Sequence, residues 1–204
     1  MRDSIPTYIA TSTGRRFYPL APSPKDLCWE DIAHALSQIN RFTGHSKVPY
    51  SVAEHSVYVS RRAESLYLAK REDIFKNVDS LTYMENAAYC ARWGLLHDAS
   101  EAYLSDVAKP LKVQDTFAGY RAAELCLQST IVTWAGLDVQ EPAEVTQADA
   151  ELLATEASQI MAEPLEPDTW YFKYPAVPGL KIQCWDAKVA ELEFLARAKE
   201  LGML

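Results

Sequence analysis

The sequence predicts an all-α protein folded as a single compact helical bundle, with an irregular N-terminal arm and a Pro-rich connection near the C-terminus. Three observations carry that expectation. Apolar residues recur every three or four positions in several separate stretches, the pattern of helices with one buried face. No internal repeat, low-complexity tract or convincing linker divides the 204 residues, a length that suits one domain. Apolar residues make up 49% of the chain, enough for a sizeable core and too many for a disordered one.

Residues 1–28 include "STGRRFYPLAPSPKD", whose Gly, Pro and alternating aromatics suit a small β-ribbon or a wrapping arm. A helix is expected from near Trp29, with Asp26 as its candidate cap and Ile32, Leu36 and Ile39 on one face. It ends in the loop "NRFTGHSKVPY". The next helix starts near Ser51, where Val52, Ser56, Val59 and Ala63 form a stripe that also takes in His55. The charged "KREDIFKNVDS" reads as an exposed connection. From Leu81 to about Tyr103 one continuous helix is expected, carrying Ala87, Cys90, Gly94 and His97 or Asp98 in succession. Pro110 should then end or redirect a helix. Two further helices follow, one from about Gly119 to Trp134 and one after Pro142 with "EVTQADAELLATEASQIM". A Pro-rich stretch from Pro164 to Gly179 precedes a last amphipathic helix, "WDAKVAELEFLARAKELG". The bundle core is placed at about residues 29–162 of one domain spanning 1–204.

The net charge of −8 argues against a protein that coats nucleic acid or an anionic membrane, since such binding relies on clustered Lys and Arg. Cys28, Cys90, Cys126 and Cys184 are widely spaced and form no C-x-x-C pair, so thiolate metal ligation is not expected and a reducing cytoplasm is. The N-terminus has no uninterrupted apolar run of a signal peptide, and no segment approaches the ~20 apolar residues of a membrane span. A soluble, cytoplasmic protein is the expectation, in the host cytoplasm for a phage-encoded chain.

The four histidines separate by context. His34 lies off its helix's apolar stripe and reads as a surface residue. His45 stands near Arg41 in a Gly/Ser/Lys loop, divided between loop and pocket. His55 and His97 each replace an apolar residue on a helix face. Alone, either reads as a hydrogen-bonded core histidine. The adjacent Asp98, and Asp149 at the edge of a stripe continued by Leu152 and Leu153, change that balance. Two imidazoles and two carboxylates form a mixed N/O set suited to Zn²⁺, Mn²⁺, Co²⁺ or Fe²⁺. Without a cation, burying both carboxylates would carry a heavy desolvation cost. Glu101 lies one turn beyond the His97–Asp98 pair, where a general acid or base belongs; an isolated glutamate there reads as a solvated helix end.

"AEHS" with His55, "LLHDASEAYLSD" with His97, Asp98, Glu101 and Asp106, "KPLK", and "QADAELL" with Asp149 resemble the HD-domain phosphohydrolases. The similar branch is that of the bacterial 5′-deoxynucleotidases and their phage relatives, the dATP triphosphohydrolases, and the resemblance covers roughly Asp31 to Met161. It implies an HD-type helical domain in which His55, His97, Asp98 and Asp149 are metal ligands, and Glu101 and Asp106 are catalytic or substrate-orienting acids. It further implies that Lys112 faces the substrate phosphate and that Arg41 and Phe42 match an arginine–aromatic pair, with Phe42 in place of the family's usual Trp. The span between His55 and His97 is longer than in the compact phage enzymes. Homo-oligomers are common among the relatives.

A nucleotide phosphate needs local cations, and Arg41, Lys112 and Lys109 are candidates beside a divalent transition metal such as Zn, Co or Mn. Mg²⁺ could accompany a triphosphate. Arg15, Arg16 and Lys47 join this set if the arm and loop fold over the site. Phe42, Tyr50 or Trp29 can stack on a base, although the last two read equally well as core aromatics. The expected reaction is hydrolysis of a deoxynucleotide, with dATP or another dNTP giving deoxynucleoside and triphosphate. Alternatives are a 5′-deoxynucleotidase acting on dNMPs and a non-catalytic metal- or nucleotide-binding domain. A cyclic-nucleotide or guanosine-tetraphosphate phosphodiesterase shares the ligand set, but its additional motifs are not found. No nucleic-acid polymer and no membrane are expected as partners.

Overall fold

The stretches of helical periodicity are helices in the computed structural model, which describes residues 7–71, 79–163 and 171–204. The chain is all-α apart from one small ribbon, β1 (Ile9–Ala10) antiparallel to β2 (Arg16–Phe17), which pairs Ile9 with Phe17 and Ala10 with Arg16. Then come α1 (Trp29–Gln38), α2 (Val52–Ala69), α3 (Ser80–Leu96), two single-turn helices α4 (Glu101–Leu104) and α5 (Lys109–Lys112), α6 (Ala118–Trp134), α7 (Ala143–Ile160) and α8 (Ala187–Glu200). Most of "KREDIFKNVDS" and the first half of the Pro164–Gly179 stretch lie outside the described residues.

Helix α2 is the axis of the bundle: α1, α3, α7 and α8 all pack against it. Its sequence stripe understates this, because the run from Val52 to Ser60 is buried without interruption. Along this enclosed run most polar groups pair with neighbouring segments, while Ser56 Oγ has no partner among the described residues. Ser51 caps its start by accepting the Glu54 N–H at 3.1 Å. Glu54 accepts the backbone N–H groups of Gln183 (3.0 Å), Cys184 (3.0 Å) and Trp185 (2.6 Å), binding the segment that leads into α8. Ser60 donates to the Ala91 carbonyl at 2.7 Å and accepts from Arg197 Nε at 3.0 Å, which joins α2 to α3 and α8.

The closest approach of α2 and α3 is at Gly94. A Cβ there would meet Ser60 Cα at 2.9 Å and the Val59 carbonyl oxygen at 3.1 Å. Both obstacles are backbone, so a side chain is accommodated only by moving the helices apart.

Three local expectations are corrected. Asp26 does not cap α1: it closes a separate 3-10 turn, Pro24–Asp26, and the cap position falls to Cys28, whose side chain makes no capping bond. The helix expected to run from Leu81 to Tyr103 stops at Leu96 and restarts at Glu101. Gln128 of α6 bridges the break, donating to the Leu96 carbonyl at 2.6 Å and accepting the Ser100 N–H at 3.1 Å. Pro110 neither ends nor redirects a helix. It sits in the first turn of α5, where a missing N–H costs nothing. The chain turns earlier, at Ser105, with φ 67° and ψ 158°.

The ribbon is held by Asp31 on α1, which accepts from Ser12 Oγ (2.7 Å), Thr13 N (2.8 Å), Thr13 Oγ1 (2.8 Å) and Cys28 Sγ (3.0 Å). This brings Phe17 onto Tyr103 of α4, their ring centroids 3.8 Å apart.

Two outcomes follow from these contacts. Gly94→Ala is expected to destabilise the protein by about 3 kcal/mol, as overpacking against backbone does, read from the urea unfolding midpoint. Burial alone would raise the Asp31 carboxyl, but the bonds from Cys28, Ser12 and Thr13 bring it down to about 2. A depressed carboxyl stabilises the fold above its unfolded value and loses that contribution as pH falls through the folded one. Wild type should therefore exceed Asp31→Asn in unfolding free energy by on the order of 2 kcal/mol at pH 5, and the gap should close toward pH 2.

Candidate metal centre

The close α2–α3 packing sets two histidines face to face. His55 Nε2 lies 3.2 Å from His97 Nε2. Behind them, His55 Nδ1 is 2.6 Å from Glu156 Oε1 and His97 Nδ1 is 2.9 Å from the Gly94 carbonyl oxygen. A carbonyl and an ionised carboxylate only accept, so both Nδ1 atoms carry hydrogen. The two Nε2 atoms then face one another, and a proton or a metal ion between them, or donation to the carboxylates beside them, satisfies the pair.

Carboxylates surround this point. Asp98 Oδ2 is 3.2 Å from His97 Nε2 and 3.8 Å from His55 Nε2. Asp149 Oδ1, from α7, is 3.2 Å from His55 Nε2. The ligand atoms of His55, His97 and Asp98 all lie within 4.8 Å of one another, a group that could hold a metal ion. Two imidazole nitrogens on a tetrahedral zinc, each about 2.0–2.1 Å from the metal, stand roughly 3.3 Å apart, so the observed spacing fits. Of the four ligands expected from the sequence, three form one compact group and Asp149 adjoins it through His55.

The electrostatics agree with a cation at the centre. Burial opposes charge on Asp98, yet His97, His55 and Arg41 hold its carboxyl far below the usual range. Burial likewise opposes charge on Asp149, and His55 and His97 bring it down to about 2. His97 is pushed down by burial but raised overall to about 10 by Asp98, Asp149 and the Gly94 carbonyl. Asp98 owes its position to the break after Leu96. Residues 97–100 form a tightened turn in which the Ala99 N–H returns to the Leu96 carbonyl at 2.9 Å, rather than the regular helix the sequence suggests.

Beyond this turn lies an acidic group with a different character. Glu101 is only 4% exposed, and its Oε2 has no partner among the described residues. Burial, then the charges of Asp98 and Asp106, push its carboxyl well above the ordinary range, against the opposing pull of Lys112 and Arg41. Burial also raises Asp106, and Arg41 pulls it back. Lys112 Nζ binds Glu101 Oε1 at 3.3 Å and Glu124 Oε1 at 2.6 Å, pairings that outweigh burial and raise its pKa.

Arg41 enters from the loop between α1 and α2. Its Nη1 is 3.4 Å from Asp98 Oδ2, its Nε donates to Glu156 Oε2 at 3.2 Å, and its Cζ sits 5.5 Å from the Phe42 ring centroid. The loop is closed by the Asn40–Ser51 bridge and by Arg41 N donating to the Tyr50 carbonyl at 2.9 Å. Phe42 (φ 56°), Thr43 (φ 53°) and Gly44 (φ 76°) are left-handed in succession, a strained conformation for two side-chain-bearing residues. That strain sits where the chain reverses and Arg41 is directed inward.

Several candidates do not join the site. Lys109 is exposed on α5, its carbonyl accepting from Val113 N at 3.2 Å within that short helix. Trp29 is buried against Trp134 with centroids 5.0 Å apart, and Tyr50 is fully buried with its hydroxyl donating to Glu156 at 2.9 Å, so both serve the interior rather than a base. Arg15 and Arg16 are exposed on the ribbon, with Arg16 against Tyr8, and the Lys47 N–H donates to the Ile160 carbonyl. His34 pairs with Glu191 at 3.2 Å, and His45 is exposed. The sequence reading omits Glu156 and Glu124. Glu156 follows Asp149 by seven positions, two turns along one face of α7, a signal that could have exposed it. Glu124 carries no such signal.

No family model matches the chain. Over 150 residues it is 33% identical to the uncharacterized protein YfdR of Escherichia coli K12, a match that spans 74% of this chain and 70% of that one. Over 141 residues it is 33% identical to the uncharacterized protein RCAP_rcc00048 of Rhodobacter capsulatus, with 67% of this chain and 62% of that one covered. Among the described residues no helix is long and apolar enough to cross a membrane.

A cation held between His55 and His97 should stabilise the fold. At a hundredfold excess over its Kd, Zn²⁺, Co²⁺ or Mn²⁺ is expected to add about 3 kcal/mol, raising Tm by roughly 6–10 °C for a chain of this size. His97→Gln should remove most of that shift in the same thermal scan.

Proposed function

The chain belongs to the family of Escherichia coli YfdR, and from that premise and the geometry above we propose that it is a metal-dependent phosphohydrolase of deoxynucleotides. One observation supports the reading above others. A metal-fit group of two imidazoles and a carboxylate stands near a buried glutamate with one oxygen unpartnered among the described residues, Arg41 bonded to the first and Lys112 to the second. A site that only binds metal has no need of a raised, unpartnered acid.

When bound, a divalent metal polarises a phosphoryl oxygen and lowers the pKa of water toward neutrality. The protein groups supply the rest. Arg41 and Lys112 receive the phosphoryl oxygens and offset the charge that accumulates in the transition state. Water attacks phosphorus in line, the bond from phosphorus to the 5′-oxygen breaks, and that oxygen leaves with a proton. Glu101, buried with its carboxyl raised by burial and by the charges of Asp98 and Asp106, handles the proton transfer. Asp106 orients the nucleoside or its departing oxygen.

The specific reading is a dNTP triphosphohydrolase, dATP first, that attacks the α-phosphorus and releases deoxynucleoside and triphosphate. A second reading, a 5′-deoxynucleotidase acting on dNMPs, draws support from the supply of cations. Lys112 is already paired with two carboxylates and Lys109 is exposed, which suits a small anion better than a triphosphate.

Zinc-, cobalt- or manganese-loaded protein incubated with a panel of dNMPs and dNTPs is expected to release nucleoside, and the co-product, phosphate or triphosphate, decides between the readings. Glu101→Gln should lower turnover about 10²- to 10⁴-fold while metal content stays at the wild-type level. Absence of turnover on every nucleotide by the loaded wild type would sink the enzyme reading.

A further inference from the structure

We propose that Glu156 is a positioning residue that joins the metal edge of the site to its anion edge: it holds His55 with Nε2 toward the metal and Arg41 with its guanidinium toward a bound phosphoryl group. The inference rests on the metal-dependent reading of the site.

The Glu156 side chain is completely buried. An uncompensated carboxylate in that position would cost several kcal/mol, so its partners must satisfy it well. Oε1 accepts from His55 Nδ1 at 2.6 Å and from the Tyr50 hydroxyl at 2.9 Å, and Oε2 accepts from Arg41 Nε at 3.2 Å. The shortest of these bonds goes to the histidine, the group with most to gain from it. A carboxylate on one ring nitrogen fixes the tautomer, sets the ring plane and strengthens the other nitrogen as a donor to metal. The second oxygen holds Arg41 by Nε alone, which leaves the terminal nitrogens of the guanidinium to face the site, where Nη1 lies 3.4 Å from Asp98.

The three segments involved are otherwise separate. His55 belongs to α2, Arg41 to the loop before it and Glu156 to α7. Two turns earlier on α7, Asp149 reaches the same imidazole from its Nε2 side. Helix α7 therefore grips His55 at both ring nitrogens, with Asp149 at the half-exposed mouth and Glu156 in the interior. If the carboxylate served only to neutralise Arg41, its contact with His55 would be incidental and metal affinity would not depend on it.

Zinc affinity, measured by competition with a chromophoric chelator, tests this directly. Glu156→Gln should weaken zinc binding about 10- to 100-fold, whereas Arg41→Ala should leave it within about threefold of wild type. Binding of inorganic phosphate to the zinc-saturated protein should fall about fivefold or more in both variants, and the double variant should be no worse than Arg41→Ala to within about twofold. Zinc affinity of Glu156→Gln within about twofold of wild type overturns the proposal, as do phosphate effects that multiply in the double variant. Should Glu156→Gln not fold, long-range proton–nitrogen NMR of the wild-type imidazoles decides. His55 is expected to carry hydrogen at Nδ1, and a metal or a bare lone pair there overturns the assignment. None of these readouts needs turnover, so loss of zinc affinity in Glu156→Gln beside an inactive wild type would reject the phosphohydrolase reading and keep the positioning role.

Discussion

The confrontation of His55 and His97 is the constraint from which the rest of the site follows. Both rings are held from behind, by Glu156 and by the Gly94 carbonyl, and their free nitrogens meet at 3.2 Å. Such a pair, flanked by Asp98 and Asp149, favours positive charge between the rings. It also sets demands on the scaffold: α2 and α3 must approach closely enough for the rings to meet, which is why position 94 is a glycine against the backbone of Ser60. Helix α3 must then end within one residue of His97, or Asp98 would follow the helical spiral away from the centre. Gln128 bridges that break from α6.

Charge is sorted across a short distance. Asp98 and Glu101 are three residues apart, yet one carboxyl is held far below its ordinary range and the other well above it. The difference lies in their neighbours. Asp98 faces two imidazoles and Arg41, while Glu101 is buried beside Asp98 and Asp106 with Lys112 bonded to one of its oxygens. Two carboxyls one turn apart are thus driven in opposite directions by their surroundings, and the cations beside them, Arg41 and Lys112, are themselves held by carboxylates.

Most of the helices and the clustering of His55, His97 and Asp98 were legible in the sequence, because each rests on a local pattern. Val52, Val59 and Ala63 announce α2 by spacing, and His55 and His97 stand out as imidazoles on apolar stripes. What escaped depends on residues distant in the chain. The end of α3 at Leu96 is bridged by Gln128, which lies 32 residues further along the chain. The enclosure of α2 on all sides comes from four helices closing on it, so its stripe looked narrower than its burial. Pro110 was misread because a proline that breaks a helix interior is harmless in a first turn, and only the reversal at Ser105 tells the two apart. Trp29 and Tyr50 went to the interior, leaving Phe42 as the aromatic beside Arg41.

Glu54 and His55 show how closely the site and the scaffold are joined. As neighbours on α2 they point about 100° apart, one toward the backbone N–H groups of Gln183, Cys184 and Trp185, the other toward the imidazole of α3. The segment before α8 is thereby fastened to the same helical turn that supplies the first metal edge. Cys184 accepts a left-handed φ of 54° to make that fastening, a strain placed in the connection rather than in α2. Further along the same helix, Ser60 accepts from Arg197 of α8, so one helix carries both the His55 edge of the site and the contacts that hold the C-terminal helix.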